Sequence, residues 1–160
     1  FRGGHASSAV DAAALVNEGS FVAGGQDGAV SLWTATRKAP VDFRRYAHGG
    51  SWITAVAACK RSDLVASGSC SGFIQLWKMH RRSDDDDEAA AAASTLPCLS
   101  PLAQVKATGF VNGLQFSKDG RMLVAAVGQE HRMGRWNRIR EAGNGVMFIP
   151  LRFNEEEEMK

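Results

Sequence analysis

Three segments of the chain share one pattern of polar and apolar positions. Each begins with a short apolar run, continues through a Gly-rich turn and closes with a second run that ends at a tryptophan. The segments align without gaps at Phe21 to Trp33, Val65 to Trp77 and Val124 to Trp136. Apolar runs on both sides of a glycine turn are typical of β-hairpins. The pattern therefore predicts three hairpins whose tryptophans are core anchors.

The spacing of the hairpins predicts the architecture. Trp33 and Trp77 are 44 residues apart, which matches the period of about 40 to 45 residues for a four-stranded propeller blade. Apolar stretches at Ile53 to Cys59 and Phe110 to Phe116 supply a strand before a hairpin, and residues such as Val41 to Tyr46 supply a fourth strand after it. We therefore expect an all-β fold built from propeller blades.

The interval between the second and third tryptophans is longer, at 59 residues. Residues 81 to 95 read RRSDDDDEAAAAAST, a low-complexity stretch that has nothing to bury. We interpret it as a solvated loop between blades. The predicted organisation is two blades at 1–80, an acidic and Ala-rich insertion at 81–96, a third blade with a closing strand at 97–153, and an acidic tail at 154–160.

Three blades do not close a propeller, which typically needs 4 to 8 of them. We expect the chain to supply the last three blades of a ring of about seven, with the earlier blades missing from it or supplied by another segment. By itself such a piece would expose unpaired strand edges and would be unstable or prone to aggregate.

Composition and charge narrow the function classes. With 44% hydrophobic and 22% charged residues the chain is typical of globular proteins, and its apolar runs are too short to span a bilayer. The net charge of +2 hides two acidic runs, Asp84 to Glu88 and Glu155 to Glu158. These hold nine of the 17 acidic residues and leave 19 basic against 8 acidic residues elsewhere. The three cysteines lack a C-x-x-C spacing, which favours a reducing intracellular compartment.

The repeats resemble the WD-repeat family. In that family a His before the first strand, a Ser or Thr in the second, an Asp in the turn and a Trp in the third form one hydrogen-bonded network, since buried polar groups need partners. The first unit has Ala23 where the hydroxyl belongs, the second has Ser71 where the Asp belongs, and the third has no matching His. The third blade should therefore be the least regular. The resemblance implies network roles for His5, Asp27, Trp33, His48, Ser67, Trp77, Glu130 and Trp136.

A sharper resemblance lies in the third unit. The stretch from Val127 to Leu151 (VGQEHRMGRWNRIREAGNGVMFIPL), the run Phe110 to Leu114, and Ala47-His48-Gly49 followed by Trp52 resemble the family of WD-repeat proteins associated with the U3 small nucleolar RNA. The resemblance implies a non-catalytic nucleolar subunit of the U3 box C/D particle, acting within the small-subunit processome in pre-rRNA processing towards 18S RNA and the 40S subunit. Its implied partners are the U3 RNA, a small kink-binding RNA protein, and other box C/D and processome proteins.

The residues themselves point to RNA at one place. Arginine can bond phosphate bidentately and stack on exposed bases. In an alternating strand Arg132 and Arg135 lie on opposite faces, so we expect that not all the arginines reach one surface. The alternative is that they are solvated charges on a blade, with Trp136 in the core. The candidate RNA-binding residues are His131, Arg132, Arg135, Arg138 and Arg140.

Other chemistry is weakly indicated. Gly68 to Gly72 (GSCSG) resembles a nucleophile elbow, but a strand follows it where the elbow requires a helix. The histidines and cysteines show no metal-ligand spacing, so we expect no enzyme, cofactor, metal or small-molecule substrate. Trp52 lies outside the repeat and is either an exposed contact or partly buried. A WD scaffold that binds only proteins remains the alternative function.

Overall fold

The computed structural model describes residues 8–81 and 96–152. Within these ranges the chain forms thirteen β-strands and no helix, so the all-β prediction is confirmed. In the described part of the chain, no helix is long and apolar enough to cross a membrane. The first eight strands are β1 (Val10–Asn17), β2 (Ser20–Gly25), β3 (Val30–Thr34), β4 (Asp42–Arg44), β5 (Ala55–Ala58), β6 (Leu64–Gly68), β7 (Phe73–Arg81) and β8 (Pro97–Lys106). The last five are β9 (Phe110–Phe116), β10 (Met122–Gly128), β11 (Glu130–His131), β12 (Gly134–Arg138) and β13 (Gly145–Pro150).

The first eight strands form two antiparallel sheets in chain order. Sheet 1 has the order β1-β2-β3-β4, and sheet 2 has the order β5-β6-β7-β8. Strand β1 packs against β5, and β5 packs against β9, so the first strands of successive sheets lie side by side. This is the blade arrangement that the period predicted.

Strand β8 corrects the boundary expected at residue 97. It pairs along β7 from Phe73↔Lys106 to Arg81↔Pro97, so residues 97–106 complete sheet 2 and do not begin the third blade. The insertion therefore joins two paired strands of one sheet and does not separate two blades. Sequence reasoning missed this because the insertion interrupts the repeat just before its fourth strand.

The third sheet corrects the gapless alignment. Sheet 3 has the order β13-β10-β9, so β13 takes the place expected for the strand that ends at Trp136. In each sheet one backbone N–H closes the second hairpin: Ala35 donates to Gly19, Met79 to Asp63 and Leu151 to Arg121. The residue two positions before each of these donors is Trp33, Trp77 and Ile149. Ile149, which is 8% exposed, thus occupies the core position predicted for Trp136.

Two apolar cores hold the sheets together. Val22, Leu32, Ile53, Val65 and Trp77 pack between sheets 1 and 2. A Cβ at position 24 would overlap Ile53 and one at position 68 would overlap Val111, so glycine is needed where the next sheet approaches most closely. The core between sheets 2 and 3 contains Ile74, Leu76, Val111, Leu123 and Ile149.

Candidate nucleic-acid interface

Sheet 2 contains a buried chain of polar side chains. His48 Nε2 lies 2.9 Å from Ser67 Oγ, and Trp77 Nε1 donates to the same oxygen at 2.8 Å. The other ring nitrogen, His48 Nδ1, lies 2.8 Å from Ser71 Oγ, which stands where the family pattern has Asp. The structure thus brings His48, Ser67 and Trp77 into one network that ties the segment before β5 to β6 and β7.

Burial keeps His48 neutral. Desolvation lowers the pKa of His48 to about 4, and a hydrogen bond with the Ser67 backbone acts in the opposite direction. The side chain is 1% exposed and stacks on Phe73 at 4.8 Å between ring centroids. A neutral imidazole has one donor and one acceptor nitrogen, which suits its position between two hydroxyl groups.

Sheet 1 fills the same role with a different hydroxyl. Trp33 Nε1 donates to Ser31 Oγ at 2.8 Å, and this hydroxyl donates to the carbonyl oxygen of Ala23 at 3.3 Å. The Ser missing at position 23 is therefore replaced by one on the strand that carries the tryptophan. Asp27 accepts the N–H of the residue two positions further on, at 3.1 Å. His5 lies outside the described residues.

The third unit departs from this scheme. Between β10 and β13 the chain leaves sheet 3 and forms a small antiparallel hairpin from β11 and β12; residues 129–140 are called the basic hairpin below. Glu130 and Trp136 both lie in it. Glu130 pairs with arginines, at 3.2 Å from Arg135 Nε and 3.9 Å from Arg138 Nε. A carboxylate engaged by guanidinium groups and a tryptophan outside the sheet do not form the predicted WD network.

The basic hairpin brings three of the predicted arginines to one recess. Arg132, Arg135 and Arg138 line an open recess of about 700 Å³, together with Glu130 and His131. Arg132 and Arg135, which would lie on opposite faces of an alternating strand, thus line the same recess. His131 pairs with Gly134, so Arg132 lies in the turn, where the alternation of a strand does not apply.

Asn112 and Gln129 hold two of these arginines. Arg132 donates from its backbone N–H to Asn112 Oδ1 at 3.0 Å and from Nη1 to the Asn112 carbonyl oxygen at 2.8 Å. Arg138 donates from Nε and Nη2 to Gln129 Oε1 at 3.0 and 2.6 Å. Arg140 is exposed but does not line the recess. The structure therefore separates Arg140 from the other candidates.

The remaining predicted residue, His131, anchors the hairpin to the body. It is 5% exposed, and its ring stacks on Trp52 with centroids 4.4 Å apart and meets Phe110 edge-on at 5.9 Å. Burial lowers the pKa of His131, and the neighbouring charge of Arg132 lowers it further. Its Nδ1 accepts the backbone N–H of Met133 at 3.1 Å. His131 is thus mainly a packing residue of the site.

The exposed parts of the hairpin have the chemistry that RNA requires. The side chains of Arg135 and Arg138 are 87% and 58% exposed, and Trp136 is 60% exposed. Guanidinium groups bond phosphates and an open aromatic face stacks on unpaired bases. In the described ranges, no group of three His, Cys, Asp or Glu side chains could hold a metal ion.

Two residues of the site escaped sequence reasoning. Asn112 lies in the mainly apolar strand β9, and its Nδ2 donates to the carbonyl oxygen of Glu130 at 2.9 Å. Gln129 Nε2 donates to the carbonyl oxygen of Ala142 at 2.8 Å. A polar residue directly after the apolar pair Phe110-Val111 was the available signal for Asn112, whereas the sequence carries no signal for Gln129.

Comparisons with known proteins agree with this geometry. The family model described as "WD domain, G-beta repeat" matches residues 2–34 and 42–78. Human U3 small nucleolar RNA-interacting protein 2 is 41% identical over 93% of this chain and 30% of its own length. A more distant relative, ribosomal RNA-processing protein 9 of Saccharomyces cerevisiae, is 25% identical over 86% of this chain and 28% of its own length.

A solved structure of U3-55K superposes with a TM-score of 0.76 and 40% identity, covering 89% of this chain and 42% of that one. The chain thus spans about 30% of the length of the curated relatives it matches. The blades, the network of sheet 2 and these matches together show that the chain contains WD40 repeats, has the WD40 repeat fold and has homologues among the U3 small nucleolar RNA-interacting proteins.

Proposed function

We propose that the chain belongs to a non-catalytic subunit of the U3 small nucleolar ribonucleoprotein that binds RNA and protein. It contributes about three C-terminal blades to a ring of about seven. The subunit acts in the nucleolus, within the small-subunit processome, in the pre-rRNA processing that yields 18S RNA and the 40S subunit. Its partners are the U3 RNA, a small kink-binding RNA protein and other box C/D and processome proteins.

The basic hairpin carries this proposal. Its three recess arginines and the exposed Trp136 form a surface suited to an RNA backbone with unpaired bases, and the relatives' names link WD proteins of this kind to the U3 RNA. Glu130 balances part of the charge, yet Arg135 and Arg138 remain exposed.

The test is a gel-shift titration of the full chain with U3 small nucleolar RNA in the presence of the kink-binding protein. Replacing Arg132, Arg135 and Arg138 with Gln should weaken binding, because each phosphate contact adds roughly 0.7 to 0.9 to the slope of log affinity against log salt. The slope should therefore fall by about two.

The matched control removes three exposed cations elsewhere, by changing Arg37, Lys38 and Arg45 to Gln. It should leave the slope nearly unchanged. An equal loss in both variants would mean that only overall charge matters. An unchanged slope in the hairpin variant would assign its arginines to protein contacts and favour the protein-binding scaffold.

A further inference from the structure

The basic hairpin has little internal structure of its own. Its two short strands have only the pairings Glu130↔Arg138 and His131↔Gly134, with a register shift between them, and they do not pair with sheet 3. An isolated two-stranded hairpin is marginally stable in water. The orientation of its arginines must therefore depend on hydrogen bonds and packing with other parts of the chain.

Trp52 supplies that packing from the connection between β4 and β5. Its ring stacks on His131 of β11 with centroids 4.4 Å apart, and on Trp136 of β12 at 5.8 Å with the planes 12° apart. His131 and Trp136 also contact each other, at 5.3 Å. One indole thus holds both strands of the hairpin, and stacked aromatic pairs favour this offset geometry.

The position of Trp52 is fixed from the opposite side. Its Nε1 donates to Asp11 Oδ2 at 2.5 Å, and Asp11 lies on β1 of sheet 1. The hairpin follows β10, the second strand of sheet 3 in chain order. It nevertheless packs on a residue that is hydrogen-bonded to sheet 1. This contact connects the hairpin to sheet 1 through a residue that lies outside the two apolar cores.

Strand β12, the second strand of the hairpin, also has a residue that the stack requires. A Cβ at position 134 would overlap the six-membered ring of Trp136, so glycine at this position lets the indole lie flat in the stack. We propose that Trp52, held by Asp11, is a positioning residue for RNA binding. Its ring holds the basic hairpin in the position in which Arg132, Arg135 and Arg138 converge on one recess. Its effect on RNA rests on the function proposed above.

The first experiment needs no RNA. Trypsin cleaves after arginine. The rate of cleavage within the hairpin therefore reports how often the hairpin detaches from Trp52. In the full chain, Trp52→Ala should speed cleavage after Arg132, Arg135 and Arg138 about tenfold, with the melting temperature of the blades little changed. The control Tyr46→Ala removes an aromatic ring that is 75% exposed in the same connection and should change nothing. Unchanged cleavage in Trp52→Ala would overturn the proposal.

Milder variants keep the test valid where Trp52→Ala does not fold. Trp52→Phe retains a ring for stacking and removes the hydrogen bond to Asp11, so it should restore most of the protection. Asp11→Ala removes the same hydrogen bond and should match Trp52→Phe. Gly134→Ala displaces Trp136 without altering Trp52 or any arginine and should resemble Trp52→Ala. A Gly134→Ala variant that resists trypsin as well as the wild type does would contradict the positioning role of the stack.

The second experiment measures U3 RNA binding by the same variants. Trp52→Ala should lower affinity about tenfold and reduce the salt slope as the triple arginine variant does, and Trp52→Phe should recover both. If the triple arginine variant binds normally, the proposed function fails. The protease result still tests whether Trp52 holds the hairpin in position. If that variant binds weakly but Trp52→Ala binds normally, the positioning role of Trp52 is wrong.

Discussion

The chain uses a histidine and a tryptophan together in two places, with opposite results. In sheet 2, His48 and Trp77 meet through the Ser67 hydroxyl and are buried, at 1% and 4% exposed. In the basic hairpin, His131 and Trp136 meet ring against ring, and the tryptophan is 60% exposed. In the first pair, every side-chain nitrogen has a hydrogen-bond partner inside the protein. The second pair leaves an indole and its flanking guanidinium groups facing solvent.

Under the proposed function, the difference is that one repeat is kept for folding and another is adapted for binding. A buried network must satisfy each donor and acceptor, so its members cannot change singly without loss. A ring stack that Trp52 holds at one face does not need a hydrogen-bond partner for every polar atom. The residues on its exposed side can therefore change without loss of the stack. In sheet 3 the core position is filled by Ile149, which releases Trp136 for the surface.

The largest effect should separate the two tryptophans. Trp77→Ala should lower the free energy of unfolding by about 3 to 5 kcal/mol, the usual range for a buried aromatic residue. Trp136→Ala should cost about 1 kcal/mol, because it loses only stacking at an exposed site. Chemical denaturation of both variants measures this contrast, and equal losses would mean that Trp136 is a core residue after all.

Acidification should act mainly on the buried histidine. The folded chain holds the pKa of His48 at about 4, against 6.5 for an ordinary histidine, so below pH 6.5 the unfolded chain binds a proton that the folded chain does not. The free energy of unfolding should fall by up to about 3 kcal/mol between pH 6.5 and pH 4 and then level off. His131 adds a loss of the same sign, because its pKa is also lowered.

Denaturation curves of the wild type and His48→Gln over this pH range test that assignment. The variant should be less stable at neutral pH but should lose less stability on acidification. A pH dependence as steep as that of the wild type would place the responsible proton on another group.

The smallest effect concerns the one carboxylate in the recess. Glu130→Gln should strengthen binding to U3 RNA by about threefold, because it removes a negative charge beside Arg135 and Arg138. Stability should hardly change, since exposed ion pairs contribute little. Glu141→Gln makes the same charge change at an exposed residue outside the recess and is the matched control. Weaker binding by Glu130→Gln would mean that Glu130 is needed to position the arginines.

The sequence predicted what depends on local patterns. Alternation and glycine turns located the strands, and the two tryptophan-terminated hairpins of sheets 1 and 2 form as expected. The third was wrong because spacing alone cannot tell a strand from an excursion. The run GRWNR has an arginine on each face, whereas the apolar run GVMFIP completes the sheet. The recess and the stack on Trp52 depend on contacts between distant segments, which no local pattern records.

The pairing of Arg81 with Pro97 makes the intervening segment a natural place for a label. Both ends of the segment are fixed by the β7–β8 ladder, and each doubling of its length costs only about 0.6 kcal/mol of closure entropy. Strand β7 carries this point about 25 Å along its axis from the turn after β6, the turn whose Ser69 carbonyl accepts the N–H of Val111 at the start of sheet 3. A fluorophore or affinity tag inserted there could follow assembly while leaving the basic hairpin untouched.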